Sequence, residues 1–194
     1  MRIRSQLDML AMETLDTSPQ KREQWKQIMM YEILNAQEED TRTATLLRCC
    51  HSTKWVNTML SYHPFSSNED VHQKAIEAWR QVNKEDILEA FRGHPMIGAN
   101  LEELRKKFQT TSSWSEGEQS GMQKASEETI RELQKANAEY LEKFGYIFIV
   151  CATGKTADEM LVLITERLQN SPKEELAIAA GEQQKITSIR LEKL

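Results

Sequence analysis

The sequence is poor in the residues that form turns. Its 194 residues include only 7 glycines and 4 prolines. A β-sandwich or a β-barrel needs many turns, and glycine and proline dominate turns, so the composition disfavours both folds. It favours helices. We therefore predict an all-α, single-domain helical bundle, long enough to bury its own core without disulfides or metals.

Cysteines, basic charge and long apolar runs are also scarce. Cys49, Cys50 and Cys151 include an adjacent pair and no C-x-x-C spacing, which disfavours a disulfide framework or a zinc site and fits a reducing compartment. The net charge of -5 disfavours a nucleic-acid partner, because phosphate contacts need a surplus of Lys and Arg. No stretch approaches the roughly 20 apolar residues of a membrane span. Residues 1–12 do not resemble a signal peptide. We expect a cytoplasmic protein with no nucleic-acid or membrane partner.

Apolar residues recur at helical spacing along most of the chain. They predict helices around residues 46–50, 55–60, 71–79, 87–91, 101–108, 130–141 and 156–168. Suitable N-cap residues precede three helices: Ser67 or Asn68, Thr156, and Ser171, which is followed by proline. We predict an acidic, polar break at residues 37–43. The apolar run 146–152 fits a buried strand or a buried helical segment, and periodicity does not choose between them.

His94 stands out among the four histidines because it lies between Gly93 and Pro95. Gly93 is placed where a helix C-cap glycine is expected, and proline restricts both its own backbone and that of the residue before it. Such a turn can hold an imidazole at a pocket, and imidazole titrates near neutral pH. The alternative is a histidine that merely hydrogen-bonds the backbone of the turn. His63, which also precedes a proline, is the rival candidate.

Residues 115–119, with the sequence Ser-Glu-Gly-Glu-Gln, form a second motif. Ser115 and Glu118 have the spacing of a capping box, which by itself explains both residues. A helix N-terminus also attracts anions, so a role in capping and a role in substrate binding are compatible.

Two motifs near the C-terminus have ordinary explanations when taken alone. Gly154-Lys155-Thr156 resembles the end of a phosphate-binding loop, but that loop needs a glycine at position 149, where the sequence has Ile149. We therefore exclude nucleotide binding. Arg190 lies at the edge of an apolar stripe, where it either extends its charge to solvent or pairs with a carboxylate.

Taken in order, these segments resemble the OHCU decarboxylase family, whose substrate is 2-oxo-4-hydroxy-4-carboxy-5-ureidoimidazoline (OHCU). The resemblance covers about residues 29–194. The matching pieces are Arg48-Cys49-Cys50 with Ser52 and Trp55, Pro64-Phe65, Gly93-His94-Pro95-x-Ile97-Gly98, Thr111 to Ser115 with Gly117-Glu118-Gln119, Asn137-x-x-Tyr140, Phe144-Gly145-x-x-Phe148-Ile149-Val150-Cys151-Ala152-x-Gly154-Lys155, and Ile186-Thr187-x-Ile189-Arg190-Leu191. Residues 1–25 have no counterpart in it, so we treat them as an extension of unknown role before a domain of residues 26–194. The chain lacks the Ser-Lys-Leu ending of peroxisomal relatives, which is typical of a cytoplasmic, bacterial-type member.

The resemblance implies an all-α homodimer that converts OHCU to (S)-allantoin in urate degradation. It places the catalytic histidine at His94 and the catalytic carboxylate at Glu118. It also implies that residues 146–152 form a helix or an irregular pocket wall rather than a strand. The implied substrate-binding residues are Pro95, Ser115, Glu116, Gly117, Gln119, Phe148, Ile149, Val150, Cys151, Ala152 and Arg190. The alternative functions are a non-catalytic scaffold for other urate-pathway enzymes and a hydrolase for the preceding step.

The residue types suit this chemistry without a cofactor. The substrate carries a hydroxyl and a carboxylate on one ring carbon beside a C=N bond, which accepts the electron pair left by CO2, so neither a metal nor pyridoxal is required. Arg190 is expected to hold a carboxylate or ring carbonyl, and His94 to exchange a proton with the hydroxyl or the intermediate. Glu118 and Gln119 are expected to bind the ureido group.

Overall fold

The computed structural model describes residues 30–94 and 127–194. Over these two ranges it contains eight α-helices and no strand, which confirms the all-α prediction. The helices are α1 (residues 30–36), α2 (Glu39–Cys49), α3 (Thr53–Ser61), α4 (Asn68–Trp79), α5 (Lys84–Arg92), α6 (Glu127–Phe144), α7 (Ala157–Arg167) and α8 (Pro172–Leu191). None of the helices in this part of the chain combines the length and apolar character needed to cross a membrane.

Three helices begin where the sequence places their capping residues. Ser67, rather than Asn68, caps α4, and its side chain accepts a hydrogen bond from the backbone N–H of Asp70. Thr156 and Ser171 each form a capping box, at the starts of α7 and α8. Each such cap stabilises its helix by about 1 kcal/mol, because it provides a partner for a backbone N–H that has none within the helix.

The predicted break at residues 37–43 is right only for residues 37 and 38, because α2 already begins at Glu39. Glu39 and Asp40 in the first turn favour a helix N-terminus, where the helix dipole is positive. Arg42 is buried, and its guanidinium donates hydrogen bonds to the carbonyl oxygens of Leu34 (2.7 Å) and Gln37 (2.5 Å). The polar residues therefore form the first turn of a helix in which the first buried side chain is an arginine, and the buried apolar side chains begin only at Leu46.

The apolar core of the described residues has three parts. Helices α1 to α4 enclose one part around Trp55 and Met59, and α6 packs on α7 around Leu133 and Met160 in a second. A third part brings Ala179 of α8 against the end of α5 and the segment that follows α6. Helix α8 also packs on α2, α4 and α5, so it joins the parts of the fold.

Residues 147–152 are neither helix nor strand, and this irregular segment agrees with one of the two forms that the family resemblance implies. It follows Gly145 and precedes Gly154, whose φ angles of 77° and 76° require the left-handed conformation that glycine adopts without steric cost. Phe148, Ile149 and Val150 are buried within it. We call residues 148–152 the wall segment.

Candidate active site

Helix α8 brings together segments that are distant in the sequence. His94 follows the C-terminus of α5, the wall segment follows α6, and Arg190 lies in the last turn of α8 itself. Side chains of α8 contact both of the other segments, as the hydrogen bonds below show. The sequence-predicted histidine and arginine are therefore neighbours in space.

The imidazole of His94 is held from both sides by α8. Its Nε2 lies 2.7 Å from Oε1 of Gln183, and its Nδ1 lies 3.4 Å from an Nη of Arg190. A guanidinium only donates hydrogen bonds, so Nδ1 is the acceptor and Nε2 carries the proton. Burial, and then the charge of Arg190, lower the pKa of His94 against the opposing hydrogen bond to Gln183. The lowered pKa favours the neutral form of His94.

Gln183 is completely buried, and its amide is oriented by Thr187 one turn later. The Gln183 Nε2 donates to Oγ1 of Thr187 at 3.2 Å, while that hydroxyl donates to the backbone carbonyl of Gln183 at 3.0 Å. The amide oxygen of Gln183 is thereby left to face His94.

Arg190 also contacts the end of α2. One Nη donates to the carbonyl oxygens of Arg48 (3.2 Å) and Cys49 (3.3 Å), which belong to the negative end of a helix dipole. Neither sequence-based alternative for Arg190 describes this arrangement, because its recorded partners in the described ranges are carbonyls and an imidazole rather than a carboxylate. Its charge is thus held beside His94.

The wall segment is fixed through its backbone. The N–H of Cys151 donates to Oε2 of Glu182 on α8 at 2.7 Å, and the carbonyl of Ile149 accepts from an Nη of Arg167 at 2.8 Å. Phe148, Ile149 and Val150 are buried, whereas Cys151 and Ala152 are partly exposed. Two polar contacts, one with α8 and one with α7, therefore set the position of a segment that has no regular hydrogen bonding of its own.

A buried ion pair contacts the wall segment through Arg167, which bonds the carbonyl of Ile149. Glu175 is completely buried and Arg167 nearly so, and an Nη of Arg167 lies 2.5 Å from Oε1 of Glu175. Tyr140 donates its hydroxyl to the same carboxylate, and Asn170 donates to Oε2 at 2.8 Å. Burial and the hydrogen bond to Glu175 raise the pKa of Tyr140. The carboxylate is fully paired, as a buried charge must be.

Gly93 is needed for a reason that the sequence does not reveal. It caps α5 as predicted, but with a φ of -75°, so the left-handed conformation is not the cause. A Cβ at this position would lie 2.2 Å from the Cβ of His51. Glycine therefore permits the close approach of two backbone segments immediately before His94.

Comparison with known proteins identifies the family to which the chain belongs. The sequence model of the family described as OHCU decarboxylase matches residues 35–192. The chain belongs to the OHCU decarboxylase family. It is 39% identical over 146 residues to the bifunctional uric acid degradation protein TTL of Arabidopsis thaliana, covering 75% of this chain and 45% of that protein. It is 32% identical over 134 residues to the 2-oxo-4-hydroxy-4-carboxy-5-ureidoimidazoline decarboxylase of Mus musculus, covering 68% and 72%.

A solved structure supports the same family fold. A crystal structure of OHCU decarboxylase in the presence of (S)-allantoin superimposes with a TM-score of 0.63 at 35% identity, covering 81% of this chain and 97% of that one. The chain spans less than half the length of the bifunctional urate-degradation relatives it matches.

Several residues that the family resemblance implicates lie outside the described ranges. They are Pro95, Ser115, Glu116, Gly117, Glu118 and Gln119, and their roles remain predictions. The rival histidine, His63, lies in the connection between α3 and α4, where its ring packs edge-on against Phe65. None of the site's hydrogen bonds between described residues involves His63. Within residues 30–94 and 127–194, no group of three or more His, Cys, Asp or Glu side chains is arranged to hold a metal ion.

Sequence reasoning assigned no role in the site to three polar residues, Glu182, Gln183 and Thr187, although Thr187 belongs to a piece that matches the family. Their only local signal is spacing: Gln183 and Thr187 are four residues apart and therefore share a face of α8. That face is buried at Glu175, Ala179, Gln183, Thr187 and Leu191. Because three of these five residues are polar, hydrophobic periodicity does not identify it as the inner face.

Proposed function

We propose that this chain catalyses the cofactor-independent decarboxylation of OHCU to (S)-allantoin in urate degradation, and so is a carboxy-lyase. The observation that carries the proposal is a neutral, oriented imidazole beside a fixed guanidinium in a chain of the OHCU decarboxylase family. The alternative of a non-catalytic scaffold gives no reason for this arrangement of His94 and Arg190.

The reaction needs charge placement and proton transfer rather than an external electron sink. The bond between the ring carbon and the carboxylate breaks, CO2 leaves, and the electron pair moves into the adjacent C=N bond, whose nitrogen takes up a proton. The hydroxyl then loses its proton as it becomes a carbonyl, and the carbon bearing the ureido group gains one. The face that receives this proton decides which enantiomer forms.

His94 suits the proton transfers because it is neutral and because one of its ring nitrogens is an acceptor. A base must be unprotonated to accept a proton, and the lowered pKa of His94 keeps its unprotonated form available at neutral pH. We assign to His94 the exchange of a proton with the substrate hydroxyl or with the intermediate.

Arg190 suits the binding of an anion. A guanidinium has five N–H donors, and the contacts to Arg48, Cys49 and His94 fix its plane at the site. We assign to it a forked contact with the substrate carboxylate or a ring carbonyl. Its positive charge also disfavours protonation of His94 before substrate binds.

The remaining roles follow from the family resemblance. We propose that the wall segment, residues 148–152, binds the amide-like edges of the substrate, and that Glu118 is the second catalytic group. Pro95 and the other members of residues 115–119 would complete the pocket. We further propose a cytoplasmic homodimer whose catalytic domain spans residues 26–194, with residues 1–25 as an extension of unknown role.

The activity is tested by following OHCU directly. OHCU is generated in place from urate with urate oxidase and hydroxyisourate hydrolase, and its disappearance is recorded by 13C NMR with and without the purified chain. The proposal predicts that the chain accelerates the decay in proportion to its concentration. Identical decay in both samples would contradict the enzymatic proposal and favour the scaffold.

A further inference from the structure

We infer that Gln183 is a positioning residue that holds His94 in the neutral tautomer protonated at Nε2, so that Nδ1 is the nitrogen that exchanges protons. The catalytic consequence of this inference rests on the proposed function, whereas the tautomer itself is a property of the free protein. Gln183 acts through His94 and is not assigned a contact with substrate.

The orientation of the Gln183 amide follows from the hydrogen bonds around it. If the amide were reversed, its nitrogen would face Nε2 of His94, and Nε2 would have to be an acceptor. The ring proton would then lie on Nδ1, pointing at the Arg190 Nη that is 3.4 Å away and can only donate. The reversed amide would therefore make the Nδ1–H and the Arg190 N–H, which are both donors, face each other, so the observed orientation of the amide is favoured.

Thr187 disfavours the reversed amide independently. Its hydroxyl has one hydrogen, which it donates to the backbone carbonyl of Gln183. The hydroxyl oxygen can therefore only accept from the side chain of Gln183, and it does so at 3.2 Å. Reversal would either place two acceptors together or require the Thr187 hydroxyl to give up its bond to the Gln183 carbonyl, in a region where Gln183 is completely buried and Thr187 nearly so, with no solvent to replace the lost bond.

A neutral amide in this position has a different effect from a carboxylate. It accepts a hydrogen bond from the Nε2 N–H, which raises the pKa of His94 less than burial and Arg190 lower it, and it carries no charge to pair with a protonated ring. The charged or titratable groups that act on His94 within the described ranges are Arg190 of α8 and His51 of the α2–α3 connection, and both disfavour its protonation. Gln183 thus orients the ring while leaving it neutral.

The first experiment measures the tautomer without substrate. Long-range 1H–15N correlation spectra of the histidine rings at pH 8 should show Nε2 of His94 protonated and Nδ1 unprotonated, with assignment by comparison with His94→Gln. In Gln183→Leu the preference should weaken or reverse. Protonation at Nδ1 in the wild-type protein, or an unchanged tautomer in Gln183→Leu, would overturn the inference.

Gln183→Glu keeps the size and shape of the side chain and is the second variant, in case Gln183→Leu does not fold. A carboxylate beside Nε2 should raise the pKa of His94 by about one unit or more, observed by NMR titration. If the chain turns over OHCU, the acid limb of kcat/KM should move upward by the same amount, and Gln183→Leu should lower kcat about 10-fold or more. An unchanged titration in Gln183→Glu would contradict the inference.

Gln184 provides the matched control. It is adjacent in sequence but only partly buried, and it lines a cavity of about 530 Å3 with Trp55 and Trp79 rather than the His94 site. Gln184→Glu should leave the tautomer and pKa of His94 unchanged.

The tautomer and the turnover of the wild-type chain separate the two proposals. The expected tautomer without any turnover would refute the proposed function alone, whereas turnover with the other tautomer would refute this inference alone.

Discussion

Replacing Glu175 with glutamine tests the ion pair that supports the wall segment. The substitution keeps the shape of the side chain but removes its charge, leaving Arg167 buried without a counter-ion. Removing one partner of a buried pair typically destabilises a protein by about 3–5 kcal/mol, a large part of the usual total of about 5–15 kcal/mol. The upper half of the range applies here, because Glu175 is completely buried and accepts hydrogen bonds from three side chains.

The assay is urea unfolding followed by far-ultraviolet circular dichroism, with the free energy of unfolding extrapolated to zero denaturant. Glu139→Gln is the control, because Glu139 pairs with Lys135 at 3.7 Å and both side chains are more than half exposed. Exposed pairs contribute about 0–1 kcal/mol. A loss in Glu175→Gln as small as that in Glu139→Gln would refute the claim that the buried pair stabilises the fold.

A second replacement on the same protein separates the pair from its surroundings. Arg167→Met removes the cation together with its hydrogen bond to the carbonyl of Ile149. The double variant Arg167→Met/Glu175→Gln should lose less stability than the sum of the two single losses, because neither charge is then left alone. Additive losses would show that the two side chains act independently.

Two further perturbations test the geometry around His94. Gly93→Ala places a Cβ 2.2 Å from the Cβ of His51, so we expect a loss of about 1–3 kcal/mol in urea unfolding together with lower kcat/KM. Gly181→Ala meets nothing within 4 Å and should instead stabilise α8 by about 0.5–1 kcal/mol; equal effects of the two substitutions would contradict the packing argument. Protonation of His94 should abolish turnover at a pH below its ordinary pKa of 6.5, because burial and Arg190 lower that pKa. Arg190→Met should raise the pKa in an NMR titration, and an unchanged or lower value would contradict the role given to its charge.

Sequence patterns that span one or two helical turns predicted most of the helices. Apolar stripes placed the helices around Trp55, Val71 and Ile130, and capping residues placed the starts of α4, α7 and α8. These predictions succeeded because they depend on neighbours within one or two turns. The start of α2 was not predicted, because its first buried residue is Arg42 and arginine is usually found at the surface.

Less of the candidate site than of the fold could be predicted from the sequence. His94 and Arg190 were selected through the family resemblance, and the fold places them in contact across 96 positions of sequence. Gln183 and Glu182 were not selected, because their importance comes from partners on other segments. The inner stripe of α8 combines a carboxylate, an amide and a hydroxyl with only two apolar residues, so its burial follows from the helices packed against it rather than from its own sequence.

The central claim is that His94 directs the formation of one enantiomer of allantoin from OHCU. It is tested by generating OHCU in place and following the circular dichroism of the allantoin formed with the wild-type chain, with His94→Ala and with His63→Ala as control. We expect rapid formation of (S)-allantoin with the wild-type and His63→Ala chains, and a slow drift to racemate with His94→Ala. Unchanged stereospecific formation in His94→Ala, or a racemate with the wild-type chain, would contradict it.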